Sequence, residues 1–165
     1  VNIIKLLENK PSSRRAVIQL FNAEDIAEEH LEIPCTCTLQ FMIRDGQLYL
    51  FTSMRSNDAF WGLPHDIFAF TMLQEIVARS LSVELGTYSH FVGSLHLYEK
   101  RKLEAKQYLE EGLQSTNILM ENMPKEDPWP AIHSLLKAEL IIRSGDDLIL
   151  SDFNLSSYWL DLIRL

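Results

Sequence analysis

Cysteine is scarce in this chain: two residues in 165, Cys35 and Cys37. They are one residue apart, and a bridge over so short a loop is strained, so a disulfide framework is excluded. Reduced thiols in a cytoplasmic protein are expected instead. Positive charge is also short. Lys and Arg number 15 against 23 Asp and Glu, for a net charge of −8. That excludes broad nucleic-acid binding, while a few convergent arginines can still hold a small anion. No apolar run approaches the roughly 18 residues of a membrane span, so no membrane partner is expected. No basic and apolar leader is visible. The chain opens at Val1 inside the amphipathic pattern Ile3, Ile4, Leu6, Leu7, which leads us to expect a further segment upstream. Internal repeats and low-complexity tracts do not occur.

What is present is ordinary globular composition, with 47% apolar and 23% charged residues. The length is about one domain, enough to bury roughly 70% of the unfolded surface. Residues 3–9 read as a helix that stops at Lys10-Pro11, and Ala16 to Phe21 as a strand. Residues 22–33 are acidic and aperiodic, hence a surface loop. Cys35 to Ile43 and Gln47 to Thr52 flank Asp45-Gly46, a strong hairpin signal. A helix opens at Leu63-Pro64 and runs to about Leu81. Its apolar set is Ile67, Phe68, Phe70, Met72, Leu73, Ile76 and Val77. That set covers most of the circumference, which predicts burial on several sides. A strand-like segment follows from Gly86 to Tyr98, then a charged helix over 99–119 and a loop with three prolines over 122–130. Two more helices are expected near 131–143 and 154–164. Strands and long helices mixed without regular alternation point to an α+β fold in a single domain, 1–165.

Several short motifs carry polar chemistry, and each has a plain structural reading beside the chemical one. Ile33-Pro34-Cys35 puts a thiol just before a strand; on that tripeptide alone a buried structural cysteine is favoured over a nucleophile. Arg55-Ser56-Asn57-Asp58 follows a strand and suits a solvated turn. Gly62-Leu63-Pro64-His65-Asp66 suits a helix start with an acid in the first turn. His96-Leu97-Tyr98 puts two polar side chains on one strand face. Ser13-Arg14-Arg15 suits surface charge. The histidines His30, His65, His90, His96 and His133 and the two cysteines show no recurring ligand spacing, so no metal is expected.

Taken in order and spacing together, these motifs resemble the thymidylate synthase family, which includes the pyrimidine nucleotide hydroxymethylases. The resemblance covers about Lys10 to Tyr98. It rests on Ser13-Arg14-Arg15, Pro34-Cys35, Gln40-Phe41, Asp45-Gly46, Arg55-Ser56 with Asp58, Gly62-Leu63-Pro64, Glu84 with Gly86, and His96-Leu97-Tyr98. It implies a thymidylate synthase-like fold, a mixed sheet packed by long helices. It implies a homodimer, a pyrimidine nucleoside monophosphate as substrate and 5,10-methylenetetrahydrofolate as co-substrate. Cys35 would add as a thiolate to C6 of the pyrimidine, making C5 nucleophilic towards the one-carbon unit; a nearby positive charge favours the thiolate. Arg55 would supply that charge and bind the phosphate with Ser56, and Asn57 would join the substrate contacts. Arg14 and Arg15 would cross the interface to the phosphate in the partner subunit. His96 and Tyr98 would hold the sugar hydroxyl. Asp58 would contact the folate ring and the nucleotide, and Gly62 would border the folate.

Departures from the family pattern sharpen the expectation. Asp66 stands where the synthases have Asn. An Asn amide accepts from uracil N3–H and donates to O4, whereas a carboxylate only accepts, which suits the N4 amino group of cytosine. Cytosine N3 is an acceptor, so a proton must sit between it and Asp66, and that proton would stabilise electron density arriving from C6. Asp66 thus points to dCMP or CMP hydroxymethylation, in which water completes the reaction at the C5 methylene. The alternatives are thymidylate synthase proper, acting on dUMP, and a catalytically inactive nucleotide-binding relative. Met54 replaces the usual Gln before Arg55, Thr36 replaces the His after the cysteine, and Ser94 replaces an Asp before His-Leu-Tyr. The family's upstream third, with its catalytic Glu and Trp pair, has no counterpart here. Residues 128–165 read as a divergent helical segment.

Overall fold

The Asp45-Gly46 turn organises the first part of the chain. Both residues have positive φ, 50° and 73°, as a two-residue hairpin turn matched to strand twist requires. The turn joins the two central strands of a four-stranded sheet. β2 (Thr36–Arg44) and β3 (Gln47–Met54) pair antiparallel, β1 (Val17–Gln19) pairs antiparallel with β2, and β5 (Glu84–Val92) pairs parallel with β3. The sheet is therefore mixed, in the order β1-β2-β3-β5. A short parallel pair, β4 (Asn57–Asp58) with β6 (Leu95–His96), lies beside it in the sequence. This computed structural model describes residues 2–27, 29–115, 117 and 119–164. The chain divides into two compact units, Val1–Asn117 and Ile118–Leu165.

Strand alternation separates two faces of the sheet. Ile18, Leu39, Thr52 and His90 stand in one cross-strand row, and Val17, Gln40, Phe51 and Ser89 in the neighbouring row on the opposite face. The inner face carries the core: Leu39, Phe41, Leu48 and Leu50 are buried together with Leu7, Ala16, Val77 and Ala78. Burial of each large side chain among them stabilises by roughly 1.5–3 kcal/mol. Leu7 comes from α1 (Asn2–Asn9), and Val77 and Ala78 from α2 (Gly62–Ser80).

The expectation that α2 is buried on several sides fits its second half, where Gln74, Val77, Ala78 and Arg79 are buried and no residue from Phe70 to Ser80 is exposed, and fails in its first half, where Ile67 and Phe68 are exposed. Buried Gln74 has a use there. The β3–β5 register shifts between Leu48 and Leu50, and the Gln74 amide donates to the Leu48 and Gly86 carbonyls at 2.8 and 3.1 Å, satisfying groups that the irregular ladder leaves over.

The strand expected from Gly86 to Tyr98 is broken. At Gly93 the chain leaves β5: Gly93 N–H donates to the Met54 carbonyl, and Asn57 N–H to the Ser94 carbonyl. The charged helix expected over 99–119 is shorter too. It is a 3-10 turn, Glu99–Arg101, followed by α3 (Lys102–Glu110), and Gly112 closes it with φ 80°; Thr116 and Ile118 lie outside the described residues. The loop expected at 22–33 contains a 3-10 turn, Ala23–Ile26, with Glu28 outside the described residues.

In the second unit, α4 (Trp129–Ser144) starts with a proline in its first turn and ends at Gly145 in the left-handed conformation, the usual asymmetry of helix ends. α5 (Ser157–Arg164) follows, with Tyr158 and Trp159 buried. Both helices fall where they are expected. Among the described residues no helix is long and apolar enough to cross a membrane.

Candidate active site

The end of β3 and the segment before β2 meet at Cys35. Arg55 holds them together: its backbone N–H donates to the Cys35 carbonyl at 2.9 Å, Nε donates to the Pro34 carbonyl and Nη2 to the Ile33 carbonyl, both at 2.9 Å. The guanidinium thus spans the Ile33-Pro34-Cys35 tripeptide. Cys35 is exposed and has a free thiol, so the reading of it as a buried structural cysteine fails. Cys37, half-buried, directs its thiol to the Cys35 carbonyl at 3.9 Å.

The β4–β6 pair brings the next motifs together. Asn57 pairs with Leu95 and Asp58 with His96, so Ser56 and His96 come side by side, with Ser56 Oγ 3.3 Å from His96 Nδ1. The His96 and Tyr98 rings meet edge to face at 4.8 Å, although the strand on which their spacing places both ends at His96, and Tyr98 leads into the next turn. Asp58 is buried. Its Oδ2 accepts from Trp61 N–H at 2.6 Å and Gly62 N–H at 3.2 Å, tying down the start of α2. Its Oδ1 is buried and has no hydrogen-bond partner. Burial works to raise the Asp58 carboxyl; the backbone N–H groups of Trp61, Gly62 and Phe60 and the charge of His96 outweigh it and hold the group below its usual range. Gly62 has a steric reason to be glycine: a Cβ there would lie 2.4 Å from Asn57 Oδ1. Exposed Trp61 stands beside the unpaired Asp58 oxygen's turn, with the Arg101 guanidinium over its ring at 4.3 Å.

Asp66 lies in the first turns of α2 above β5. Asp66, Phe70 and Gln74 are spaced i, i+4, i+8, one row of a helix face. Gln74 bonds over Gly86, and the Phe70 ring is 6.3 Å from that of His90. Tyr88 and His90 face this row. Neither is among the residues the resemblance points to, although their i, i+2 spacing on a strand repeats that of His96 and Tyr98. Burial raises the Tyr88 phenol, the Thr52 side chain works against it, and the Asp66 charge adds a smaller upward push. Burial lowers the His90 imidazole, and the Asp66 charge works against it.

Arg14 and Arg15 are not brought to Cys35. They are exposed and line a cavity of about 830 Å³ with Lys10, Ser13, Arg44 and Asp45. Gln40 ties this loop to the outer sheet face by donating to the Arg14 carbonyl at 3.2 Å. Phe41 N–H donates to the Ala16 carbonyl, and the strand distance from there to Cys35 is roughly 20 Å. Among the described residues no three His, Cys, Asp or Glu side chains converge as metal ligands.

Comparison with known proteins follows the same pattern. The profile of the family described as thymidylate synthase matches residues 1–128. Over 108 residues the chain is 33% identical to a thymidylate synthase of Listeria monocytogenes serotype 4a (strain HCC23), an alignment that takes 66% of this chain and 34% of the relative. It is 32% identical, over the same shares, to a thymidylate synthase of Listeria innocua serovar 6a. The chain therefore spans about a third of the length of the curated relatives it matches. Among solved structures it is similar to thermostable thymidylate synthase A from Bacillus subtilis, with a TM-score of 0.61, 31% identity, and coverage of 69% of this chain and 40% of that one.

Proposed function

Because the chain belongs to the thymidylate synthase family, we propose that it carries the thiol and nucleotide-binding residues of a one-carbon transferase acting at C5 of a pyrimidine nucleoside monophosphate. The observation that carries this reading is Arg55 spanning Ile33-Pro34 beside an exposed Cys35. A thiolate at Cys35 bonds to C6, the displaced electron pair makes C5 nucleophilic, and the guanidinium supplies positive charge to the thiolate and the phosphate. Ser56, Asn57, His96 and Tyr98 form the remaining nucleotide contacts. The co-substrate is 5,10-methylenetetrahydrofolate, which supplies the one-carbon unit when bound. The unpaired buried Asp58 Oδ1 and the exposed Trp61 ring fit a flat heterocycle with an N–H donor, and Gly62 borders the same turn. The two free thiols suit a reducing, cytoplasmic setting. The same reading treats 1–165 as one thymidylate synthase-like domain, with 128–165 as its divergent helical segment.

Arg14 and Arg15 serve the partner site of a homodimer. What supports this is their distance from Cys35 in their own chain and their exposure at the sheet edge.

Asp66 favours cytosine, and we infer hydroxymethylation of dCMP or CMP. The reading of dUMP as substrate draws support from the relatives, which are named thymidylate synthases. Base choice separates the two. An ionised carboxylate cannot donate to uracil O4, and leaving such a group unpaired in a closed site costs about 1–3 kcal/mol, or about tenfold in affinity. Calorimetric titration at several pH values is expected to show dCMP binding more tightly than dUMP, with Asp66→Asn reversing the order. Binding of dCMP takes up the proton shared with N3, so it weakens as pH rises, more steeply than dUMP binding. A wild-type preference for dUMP sinks the hydroxymethylase reading and leaves thymidylate synthesis.

A further inference from the structure

Arg101 has no part in the chemistry above, yet it stands at the mouth of the turn that joins Asp58 to Trp61. That turn runs from buried to exposed. Asp58 is 8% exposed and its Oδ1 has no partner, whereas Trp61 is 50% exposed. A ligand that starts at the Asp58 oxygen and lies along the indole therefore has its outer end beside Arg101, whose guanidinium is 4.3 Å from the Trp61 ring centroid. The frame around this pair is fixed from two sides. The Phe60 and Tyr108 rings meet edge to face at 6.2 Å, docking α3 on the turn. His65 Nδ1 donates to the Trp61 carbonyl, and its ring lies nearly parallel to the indole at 6.3 Å. The guanidinium is only partly used. Nη1 donates to both Glu104 oxygens at 2.8 Å, while among the described residues Nε and Nη2 make no hydrogen bond. The two side chains are 30% and 45% exposed and three residues apart, so water competes for the pair and it is weak. A carboxylate thus already sits, loosely held, on a planar cation stacked over an aromatic ring. Such a cation suits the carboxylate of an aromatic ligand. Lys100, next in sequence, is instead drawn over the Tyr98 ring at 5.7 Å.

We propose that Arg101 is a specificity-determining residue for the co-substrate: its guanidinium receives a carboxylate carried at the end of the molecule away from the heterocycle, and Glu104 holds the place of that carboxylate until the co-substrate binds. The inference rests on the reading of Asp58 and Trp61 as the seat of the flat heterocycle. It makes co-substrate choice depend on a charge that lies outside the nucleotide contacts. A heterocycle without a carboxylate tail then binds through Asp58 and Trp61 alone and leaves the Arg101–Glu104 pair intact.

Two probes that differ in the tail test it on the whole chain. Folic acid carries carboxylates and 6-methylpterin carries none. Both are titrated by calorimetry against wild type, Arg101→Ala, Arg101→Lys and Glu104→Gln. Arg101→Ala is expected to weaken folic acid by about tenfold, the scale of one charged hydrogen bond, and to leave 6-methylpterin unchanged. Arg101→Lys keeps the charge without the planar fork and is expected to fall between wild type and Arg101→Ala. Glu104→Gln removes the competing carboxylate, so it is expected to bind folic acid more tightly by about twofold to fivefold, the scale of an exposed ion pair. Folic acid binding that Arg101→Ala leaves unchanged overturns the proposal. So does an equal loss for both probes, which marks Arg101 as a prop for the turn. A Glu104→Gln affinity that fails to rise overturns it too, as does folic acid that binds neither wild type nor Glu104→Gln. Titration of wild type with dCMP and dUMP separates this from the wider reading. Nucleotide binding without an Arg101 effect sinks the proposal alone. Failure to bind either nucleotide sinks the site reading, and the folic acid series then decides the proposal by itself.

Discussion

Cys35 and Arg55 are twenty positions apart in the sequence, and their pairing was legible there only through the resemblance. What a sequence does not disclose is how the guanidinium is used. Nε and Nη2 are committed to the Pro34 and Ile33 carbonyls, so Arg55 shapes the loop that presents the thiol. A lysine has one point charge and could not span both carbonyls. The same geometry separates the two thiols, since Cys35 is exposed and Cys37 is half-buried with its thiol on the Cys35 carbonyl. Iodoacetamide is therefore expected to label Cys35 well before Cys37, with dCMP protecting Cys35, as peptide mass mapping over time would register. Equal labelling of both without protection removes the nucleophile assignment. Tyr88 and His90 escaped the sequence reading because a polar pair at i, i+2 on a strand looks alike whether it faces solvent, core or site. Only the cross-strand row with Leu39 and Thr52 places His90 on the inner face.

At the scale of elements, the hairpin and α2 were legible because local chemistry decides them: Asp45-Gly46 suits positive φ twice, and Leu63-Pro64 suits a helix's first turn. The break at Gly93 and the burial of Gln74 were not, because both answer to another element, Met54 in one case and the irregular β3–β5 ladder in the other. Periodicity likewise marks the extent of α2 without saying which side is covered. The start of α2 carries a pH signature. Asp58 is held below its usual range in the folded chain, so its contribution to stability is complete above the ordinary carboxylate range and is lost as pH falls below that range through the lowered folded value. His90, lowered by burial, acts in the same direction at higher pH: the native imidazole resists protonation, so stability declines as pH drops below about 6.5. Urea unfolding from pH 8 to pH 3 is expected to show both steps. Asp58→Ala should cost about 1 kcal/mol at neutral pH, the usual worth of such a helix-start contact, with the difference shrinking in acid. His90→Gln should remove only the upper step. A pH profile of Asp58→Ala parallel to that of wild type throughout would refute the Asp58 assignment.

The whole molecule poses a question that one chain leaves open: what Arg14 and Arg15 serve. They stand on the sheet edge roughly 20 Å along β2 from Cys35, on a loop that Gln40 anchors to the outer face. That face shows Val17, Phe51 and Phe91 with 41%, 38% and 65% of their surface exposed. Large apolar side chains on a sheet face call for a cover. In a two-fold dimer the same patch meets itself, and each arginine pair is carried towards the other subunit. If so, each site takes its thiol from one chain and an arginine from the other, and defects in different chains complement. A Cys35→Ser subunit and an Arg15→Ala subunit, each nearly inactive alone in the whole protein, are expected to regain one-carbon transfer when refolded together. Random pairing of symmetric dimers makes half the molecules mixed, each with one intact site, so about a quarter of wild-type activity should return. Light scattering should report a mass of two chains. A single-chain mass, or no recovery in the mixture, would refute the shared site and return Arg14 and Arg15 to surface charge.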